Sequence, residues 1–185
     1  MSAPRYQDTA PEKIPKVKTA DGKGTVVVIA GQALGTKAYI ETRSPIIYLD
    51  VQLGAGATFA DAVPAEFNGF VYVYRGTAFF GANKDEASEG QFFKLGEGDS
   101  FQAEAGPDGE GRFLLIAGVP LREPVARYGP FVMNTQEEIM QAFKDYQSGK
   151  FGKEIEGSED RYAKTTKAVS SQQKSGKYQR DQTDL

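Results

Sequence analysis

The 185-residue chain contains no histidine and no cysteine. These two residues are the most frequent protein ligands of transition metals, and histidine is also the most frequent general base, so the usual iron, zinc and copper sites and cysteine nucleophiles are excluded. The lack of cysteine excludes a disulfide framework, but it does not identify a cellular compartment. Any chemistry must therefore use carboxylates, amides, hydroxyls, cations or shape.

Long apolar runs and a strong charge of either sign are also missing. The longest apolar runs, 26–30 and 113–118, are too short to span a bilayer, and the first residues contain no apolar signal-peptide core. The formal net charge of -3 at pH 7 gives no overall attraction to nucleic acid or anionic lipid. We expect a soluble intracellular protein with no membrane partner, and nucleic acid binding is unlikely on this basis.

What is present suits one domain, since 39% of the residues are hydrophobic and 11% are aromatic. Residues 1–24 are polar, contain three prolines, and predict an extended arm. From residue 25 to 133, short β-rich segments separated by glycine predict an all-β antiparallel sandwich or barrel. The predicted strands are 25–30, 47–53, 69–74, 77–81, 91–95, 99–103 and 112–117.

The segment 134–152 predicts one amphipathic helix that packs on the barrel. Thr135 and Glu138 form a capping-box pattern, because each side chain can bond the other's backbone amide. Ile139, Phe143 and Tyr146 then share one helical face before a stop at Gly149. Residues 153–185 are rich in Ser, Gln, Lys and Thr, and we expect a disordered polar tail there. Its six cations between 161 and 180 are better explained as a solvated tail than as phosphate contacts.

Several short runs resemble the carboxy-terminal half of pirins, in the family's order. Particularly specific is the run from Gly129 to Thr135, Gly-Pro-Phe-Val-Met-Asn-Thr, which is followed by the capped helix. The resemblance covers about residues 4–152. The other runs are Pro4–Asp8, Ile14–Pro15, Val28–Gly31, Leu34–Gly35, Thr42–Pro45, Tyr48–Asp50, Gly118–Leu121, Glu123–Pro124, Asp145–Gln147, Gly149 and Phe151–Gly152.

The resemblance implies a cupin double-stranded β-helix, a jelly-roll type of antiparallel barrel. Pirins are two-domain cupins whose amino-terminal barrel holds iron through three histidines and a glutamate. Quercetin dioxygenase activity and a nuclear transcription-cofactor role are ascribed to the family, which implies a cytoplasmic or nuclear location. This chain starts near the interdomain region of the pattern, so we expect it to lack the iron-bearing half.

Cupin ligand positions can be tested by counting back from Gly76 along the first cupin motif. That count places Ala62 and Pro64 at the two histidine positions and Asn68 at the glutamate position. None of these side chains is a good iron ligand, because iron prefers imidazole and carboxylate. We therefore expect no metal site, no cofactor and no catalytic residue, and we lean against an enzyme.

A second candidate site follows from the strand that starts at Asn68. By the period of two, Asn68, Phe70 and Tyr72 share one strand face, and this face is interpreted as a possible barrel-interior surface for a small planar ligand. A filled barrel core with satisfied hydroxyls is the more ordinary explanation of the same pattern.

These observations predict a non-catalytic pirin-like domain that acts by protein–protein association or as a structural half-domain. The partner would be another protein or a second copy, bound through the surface that faces the other half in full pirins. One alternative is a fragment of a full pirin, whose iron-dependent dioxygenase or transcription-cofactor function needs the missing domain. A second alternative is a cupin that binds a small aromatic ligand.

Overall fold

The structure is a computed structural model that describes residues 7–107 and 109–151. Antiparallel strands dominate it, and a 3-10 turn at Pro11–Lys13 precedes them. A single α-helix, α1, spans Gln136–Gln147 of the described part. The strands are β1 (Lys16–Lys18), β2 (Gly24–Ala30), β3 (Gln32–Ala33), β4 (Thr36–Lys37), β5 (Ile46–Leu53), β6 (Thr58–Ala62), β7 (Asn68–Phe80), β8 (Asp85–Ser88), β9 (Phe92–Lys94), β10 (Ser100–Ala105), β11 (Gly111–Gly118), β12 (Ala126–Tyr128) and β13 (Phe131–Met133).

Nine of these strands form one curled antiparallel sheet in the order β1-β2-β5-β11-β7-β10-β6, with β8 and β9 also paired to β7. The predicted all-β antiparallel fold with one helix near its end is confirmed. Strands β2, β5 and β11 bury every second residue, because successive side chains of a strand point to opposite faces. Their inward residues enclose one hydrophobic core, to which β6, β7 and β10 also contribute.

Aromatic rings fill the centre of this core. The Phe80 ring lies edge-on to Phe113 at a centroid distance of 5.1 Å and to Phe93 at 4.7 Å. Phe101 lies 6.0 Å from Phe113 and 6.0 Å from Phe59. Each of these distances suits a tilted or edge-to-face aromatic pair, so the rings add specific geometry to their burial.

Strand β7 is continuous from Asn68 to Phe80, whereas the sequence predicted two strands separated at Arg75 and Gly76. Its first part pairs with β9 and β11 and its second part with β8 and β10. The register with β11 shifts near Tyr74, and Gly76 has a φ of 69°. A side chain at Gly76 would clash with the carbonyl oxygen of Glu110. The glycine therefore bends the strand at a bulge instead of ending it.

The predicted arm, residues 1–24, contributes a short strand to the sheet. Strand β1 pairs with β2, in the register Val17 to Val26. Upstream, the Gln7 side chain donates to the Glu41 carbonyl at 2.7 Å and accepts from the Glu41 amide at 3.1 Å. The prolines predicted irregular backbone, but the lysine-flanked Val17 supplies an edge strand.

Backbone contacts divide the chain into two units after Leu121. Strands β12 and β13 leave the nine-stranded sheet and form a hairpin of their own, which α1 contacts. Within this second unit, the helix packs on the hairpin. Phe143 meets the hairpin at Tyr128 and Phe131, with ring centroids 5.4 Å and 4.9 Å away.

The capping box of α1 is confirmed. The Thr135 hydroxyl accepts from the Glu138 amide at 3.2 Å, and the Glu138 carboxylate accepts from the Thr135 amide at 3.1 Å. Gly149 follows the helix with a φ of 71° and ends it as predicted. The buried face differs in part, since Ile139 and Ala142 are buried while Tyr146 is exposed. The predicted disordered tail, residues 153–185, lies outside the described residues.

Candidate interaction face and barrel interior

The outer face of the sheet is apolar as well as the inner one. We define the outer face by the outward residues of six adjacent strands, β1, β2, β5, β11, β7 and β9. Antiparallel sheets with one solvated face normally place polar residues there. Here the centre of the outer face is made of partly exposed apolar and aromatic side chains: Val27, Ile29, Ile46, Tyr48, Leu114, Ile116, Phe70, Tyr72 and Phe92.

Three aromatic rings project most from this face. Phe70 is 39% exposed, Tyr72 is 40% exposed and Phe92 is 71% exposed. Phe92 lies directly opposite Tyr72 in the β7–β9 pairing, and Lys94 lies opposite Phe70. Opposed residues in such a ladder have Cβ atoms about 5 Å apart, so the rings form one contiguous surface. Contiguous exposed aromatic area of this kind marks binding surfaces.

A groove of about 620 Å³ runs along one end of the outer face. Its walls are mainly apolar, and its polar groups are the Asn68 amide, the Lys94 ammonium and two hydroxyls. The lining residues are Thr42, Ser44, Pro45, Ile46, Asn68, Gly69, Phe70, Phe92, Lys94, Ile116, Ala117, Gly118, Val119 and Leu121.

Lysines occupy both lateral edges of the outer face. Lys16 and Lys18 project from edge strand β1, and Lys94 projects from β9 at the opposite edge. Within the described part of the chain, Lys18 donates to the Thr25 hydroxyl at 3.0 Å, while Lys16 and Lys94 form no ion pair.

The carboxylates on or beside the outer face are already engaged. Asp50 accepts from the Tyr74 hydroxyl at 2.7 Å and from the Gln52 amide at 3.0 Å. Glu110 pairs with Arg75 at 2.6 Å and with Arg112 at 2.9 Å. The cations that remain available at this face are therefore the edge lysines.

Tyr74 stays a hydrogen-bond donor at neutral pH. Partial burial, and then the hydrogen bond to Asp50 and the negative charge of that carboxylate, raise the pKa of Tyr74 to about 12. Each cause disfavours a second negative charge beside Asp50. The pair thus links β5 and β7 across the strand β11 that lies between them, and it does not supply a proton near neutral pH.

The barrel interior opens into a second cavity of about 500 Å³. Its apolar lining comes from Val63, Phe67, Phe80, Phe93, Leu95 and Phe101, and polar or glycine residues surround the opening. Iron would need imidazole or carboxylate ligands converging on one point. Among residues 7–107 and 109–151, no group of three or more such side chains is placed to hold a metal ion. The aromatic interior does not fit the family's iron.

The positions assigned to the cupin ligands do not line this interior. Ala62, Pro64 and Asn68, which the count along the motif places at the ligand positions, are all exposed. The inward neighbours on this segment are Val63, which is buried, and Asp61, which is partly buried. Asp61 is used structurally, because its carboxylate accepts from the Leu34 amide at 2.6 Å and from the Ala62 amide at 2.9 Å.

The proposed ligand face is also on the other side of the sheet from the prediction. Asn68, Phe70 and Tyr72 do share a face, but this is the outer face, since Val71 and Val73, which alternate with them, are fully buried. Asn68 and Phe70 line the outer groove, which excludes them from the barrel interior.

Sequence reasoning missed two other groove residues, Phe92 and Ile116. A signal was available for Ile116, because the run Phe113 to Ala117 is apolar at consecutive positions and so predicts a strand covered on both faces. No α-helix in the described ranges is both long and apolar enough to cross a membrane.

Comparison with known proteins places the chain in a family. The sequence profile of the Pirin C-terminal cupin domain matches residues 48–152. Human Pirin is 44% identical over 154 residues, which are 82% of this chain and 52% of the human protein. A pirin-like protein of Caulobacter vibrioides is 42% identical over 153 residues, which are 82% of this chain and 54% of the bacterial protein. The chain therefore spans about half the length of these curated relatives.

Solved structures agree with the sequence comparison. A quercetin 2,3-dioxygenase from Acinetobacter baumannii superposes with a TM-score of 0.70 at 32% identity, over 80% of this chain and 51% of that protein. A protein from Geobacillus kaustophilus superposes with a TM-score of 0.59 at 30% identity, over 68% of this chain and 51% of that protein. In each case the similar region is about half of the solved chain.

Proposed function

The chain belongs to the pirin family, and from this premise we propose that its barrel domain works by protein–protein association, packing its outer face against a second cupin-type domain. In this proposal, no side chain of the barrel has a catalytic role. The partner domain would lie either on another polypeptide or elsewhere in a longer one. Either way, the function of the described domain is to bind and position that partner.

The observation that carries the proposal is the apolar character of both faces of the sheet. Partly exposed Leu114 and Ile116 alternate with the buried Phe113 and Leu115 along β11. Strands with apolar residues on both sides are typical of sheets covered on both sides. Within the described part of the chain, the barrel core covers the inner face of the sheet, whereas the outer face stays partly exposed.

The size of the outer face is suitable for a specific interface. Six strands about 4.8 Å apart give a width of about 24 Å, and three to four outward residues on each of the four central strands give a length of about 20 Å. The flat area is roughly 500 Å², and side-chain relief brings the accessible area toward the ~800 Å² that each partner contributes to an interface of standard size. A second sheet of similar size could pack on this face, with its strands at about -30° to those of the first sheet.

A role within an iron-dependent dioxygenase is compatible with the same proposal. One solved relative carries the name quercetin 2,3-dioxygenase, and this chain corresponds to about half of it. The barrel described here does not fit iron, so in such an enzyme the metal and its chemistry would belong to the other half. The outer face would then hold the two halves together, and the same would apply to a transcription-cofactor role.

A small aromatic ligand is a second candidate, favoured by the groove at the end of the outer face. Phe70 and Phe92 provide stacking area there, and Asn68 and Lys94 provide a donor and a cation. This chemistry suits a flat aromatic anion. A naphthoate that raises the melting temperature of wild type but not of Lys94→Gln would support it, whereas an equal effect on both would count against the groove.

The association proposal is tested with the half of human Pirin that this chain does not match, produced separately. Titration calorimetry should detect binding to wild type and at least about a tenfold loss for Phe70→Ser with Phe92→Ser, because both changes remove aromatic area from the centre of the contact. The matched control is Val132→Ser, an exposed apolar residue on β13 and outside the outer face. Equal binding by the face variant and the control would contradict the proposal.

A further inference from the structure

The charges at the border of the outer face indicate what kind of partner surface it accepts, provided that the association proposed above takes place there. Lys16 and Lys18 border the apolar centre on one side and Lys94 borders it on the other. No ionised acid within the described chain pairs with these three lysines. The border of the outer face is therefore positive, although the net charge of the chain is -3.

A second copy of the chain fits this border poorly. Two aligned sheets related by a two-fold axis can have that axis along the strands or across them. With the axis along the strands, the β1 edge of one copy faces the β9 edge of the other, so Lys16 and Lys18 approach Lys94. With the axis across the strands, each edge faces its own equivalent. Lysines meet lysines in both arrangements, and like charges at an interface oppose that pairing.

We infer that the natural partner of the outer face is a different surface, with an apolar centre and carboxylates at its two borders. Carboxylates opposite Lys16, Lys18 and Lys94 would pair with cations that lack acidic partners in this chain. Such pairs at a solvated border contribute modestly to affinity. Their main effect is on specificity, because they form with an acidic partner and cannot form with a second copy. Association through them should weaken as salt is added.

A charge-reversed copy of the chain supplies a probe with these properties. The variant Lys16→Glu, Lys18→Glu, Lys94→Glu keeps the apolar centre and gives it an acidic border. Mixed with wild type at about 100 µM each, it should form a one-to-one complex in sedimentation velocity. At about 20 mM salt the mixed complex should be at least about tenfold tighter than either self-association, and at about 0.5 M salt the advantage should fall to about twofold.

The matched control reverses three exposed lysines that lie off the outer face, Lys23, Lys37 and Lys144. This variant has the same net charge as the probe but should bind wild type no better than wild type binds itself. Melting temperatures of both variants within a few degrees of wild type confirm that each has folded. A neutral variant, Lys16→Gln, Lys18→Gln, Lys94→Gln, should lose the advantage of the acidic probe.

The outcomes separate this inference from the proposed function. Dimerisation of wild type alone, as tight as the mixed complex, would overturn the inference and identify a second copy as the partner, while association through the outer face would stand. Equal binding of wild type by the probe and by the off-face control would also overturn it. If the calorimetric test with the half of human Pirin shows no dependence on Phe70 and Phe92, the proposed function itself fails, whatever the charge variants do.

Discussion

At the residue scale, one carboxylate connects two separate parts of the barrel edge. Asp21 accepts from the Thr19 hydroxyl at 2.6 Å, from the Lys23 amide at 3.0 Å and from the Thr58 amide at 2.8 Å. The bond from Thr19, and then those from the two backbone amides, lower the pKa of Asp21 to about 2. All of these donors favour the ionised carboxylate. Hydrogen bonds to this charged group therefore connect the turn between β1 and β2 to β6.

This arrangement makes part of the stability depend on pH. The pKa of Asp21 is lower in the folded than in the unfolded state, so its contribution is complete above about pH 4 and is lost as the pH falls through about 2. We expect the melting temperature of wild type to exceed that of Asp21→Asn at pH 6 and the difference to shrink between about pH 4 and pH 2. Circular dichroism melts across this range measure it.

The control is Asp85→Asn, at an exposed carboxylate that accepts no hydrogen bond from any described residue. Its melting curves should run parallel to those of wild type through the same range. A constant difference between wild type and Asp21→Asn from pH 6 down to pH 2 would show that the charge of Asp21 does not hold the turn.

At the element scale, the segment before α1 is organised by side chains that bond backbone. The Asn134 amide group donates to the Pro124 carbonyl at 2.9 Å and to the Glu123 carboxylate at 3.0 Å. Glu138 accepts from the amides of both Asn134 and Thr135, at 3.0 Å and 3.1 Å. One carboxylate thus satisfies two backbone donors at the start of the helix, where four lack partners inside it.

Removing the cap should loosen the helix locally. Thr135→Ala is expected to cost about 1 kcal/mol of helix stability, which corresponds to about fivefold faster amide exchange in the first turn. Hydrogen exchange at Glu138 and Ile139 measures this change. Glu137→Gln is the control, because its carboxylate takes no part in the capping box. Unchanged exchange in Thr135→Ala would mean that tertiary contacts alone hold the first turn.

At the scale of the whole molecule, aromatic rings pack against one another in the centre of the barrel core. Phe59, Phe80, Phe101 and Phe113 are all at most 6% exposed, and each ring contacts at least one of the others. Burial of this much aromatic surface supplies the kind of stabilisation that a bound metal gives smaller or more open domains. Stability of the described barrel is therefore expected to be independent of transition metals.

That independence can be measured directly. Treatment of the purified chain with EDTA should leave its melting temperature unchanged within about 1 °C, and added ferrous ion should not raise it, since a ligand that binds only the folded state must stabilise it. Elemental analysis of the same sample gives the iron content. Stoichiometric iron together with a lower melting temperature after EDTA would contradict this expectation.

The sequence by itself determined the features that depend on neighbours along the chain. The alternation in 47–53 located β5, the Thr135 and Glu138 spacing located the start of α1, and the runs around Gly129 identified the family. Local sterics and short-range hydrogen bonds fix such features, so a few consecutive residues are sufficient to predict them. The lack of histidine likewise limits the chemistry without reference to any fold.

Tertiary structure decided the features that depend on distant partners. Phe70 and Val71 are both apolar, so a period of two could not say which of them faces the core; pairing with β9 and β11 placed Val71 inside and Phe70 on the outer face. Likewise, only the strand order β1-β2-β5-β11-β7, with β9 paired to β7, brings Lys16 and Lys94 to opposite edges of one surface. The physical reason is that alternation assigns residues to two faces, whereas the long-range strand order determines which face is buried.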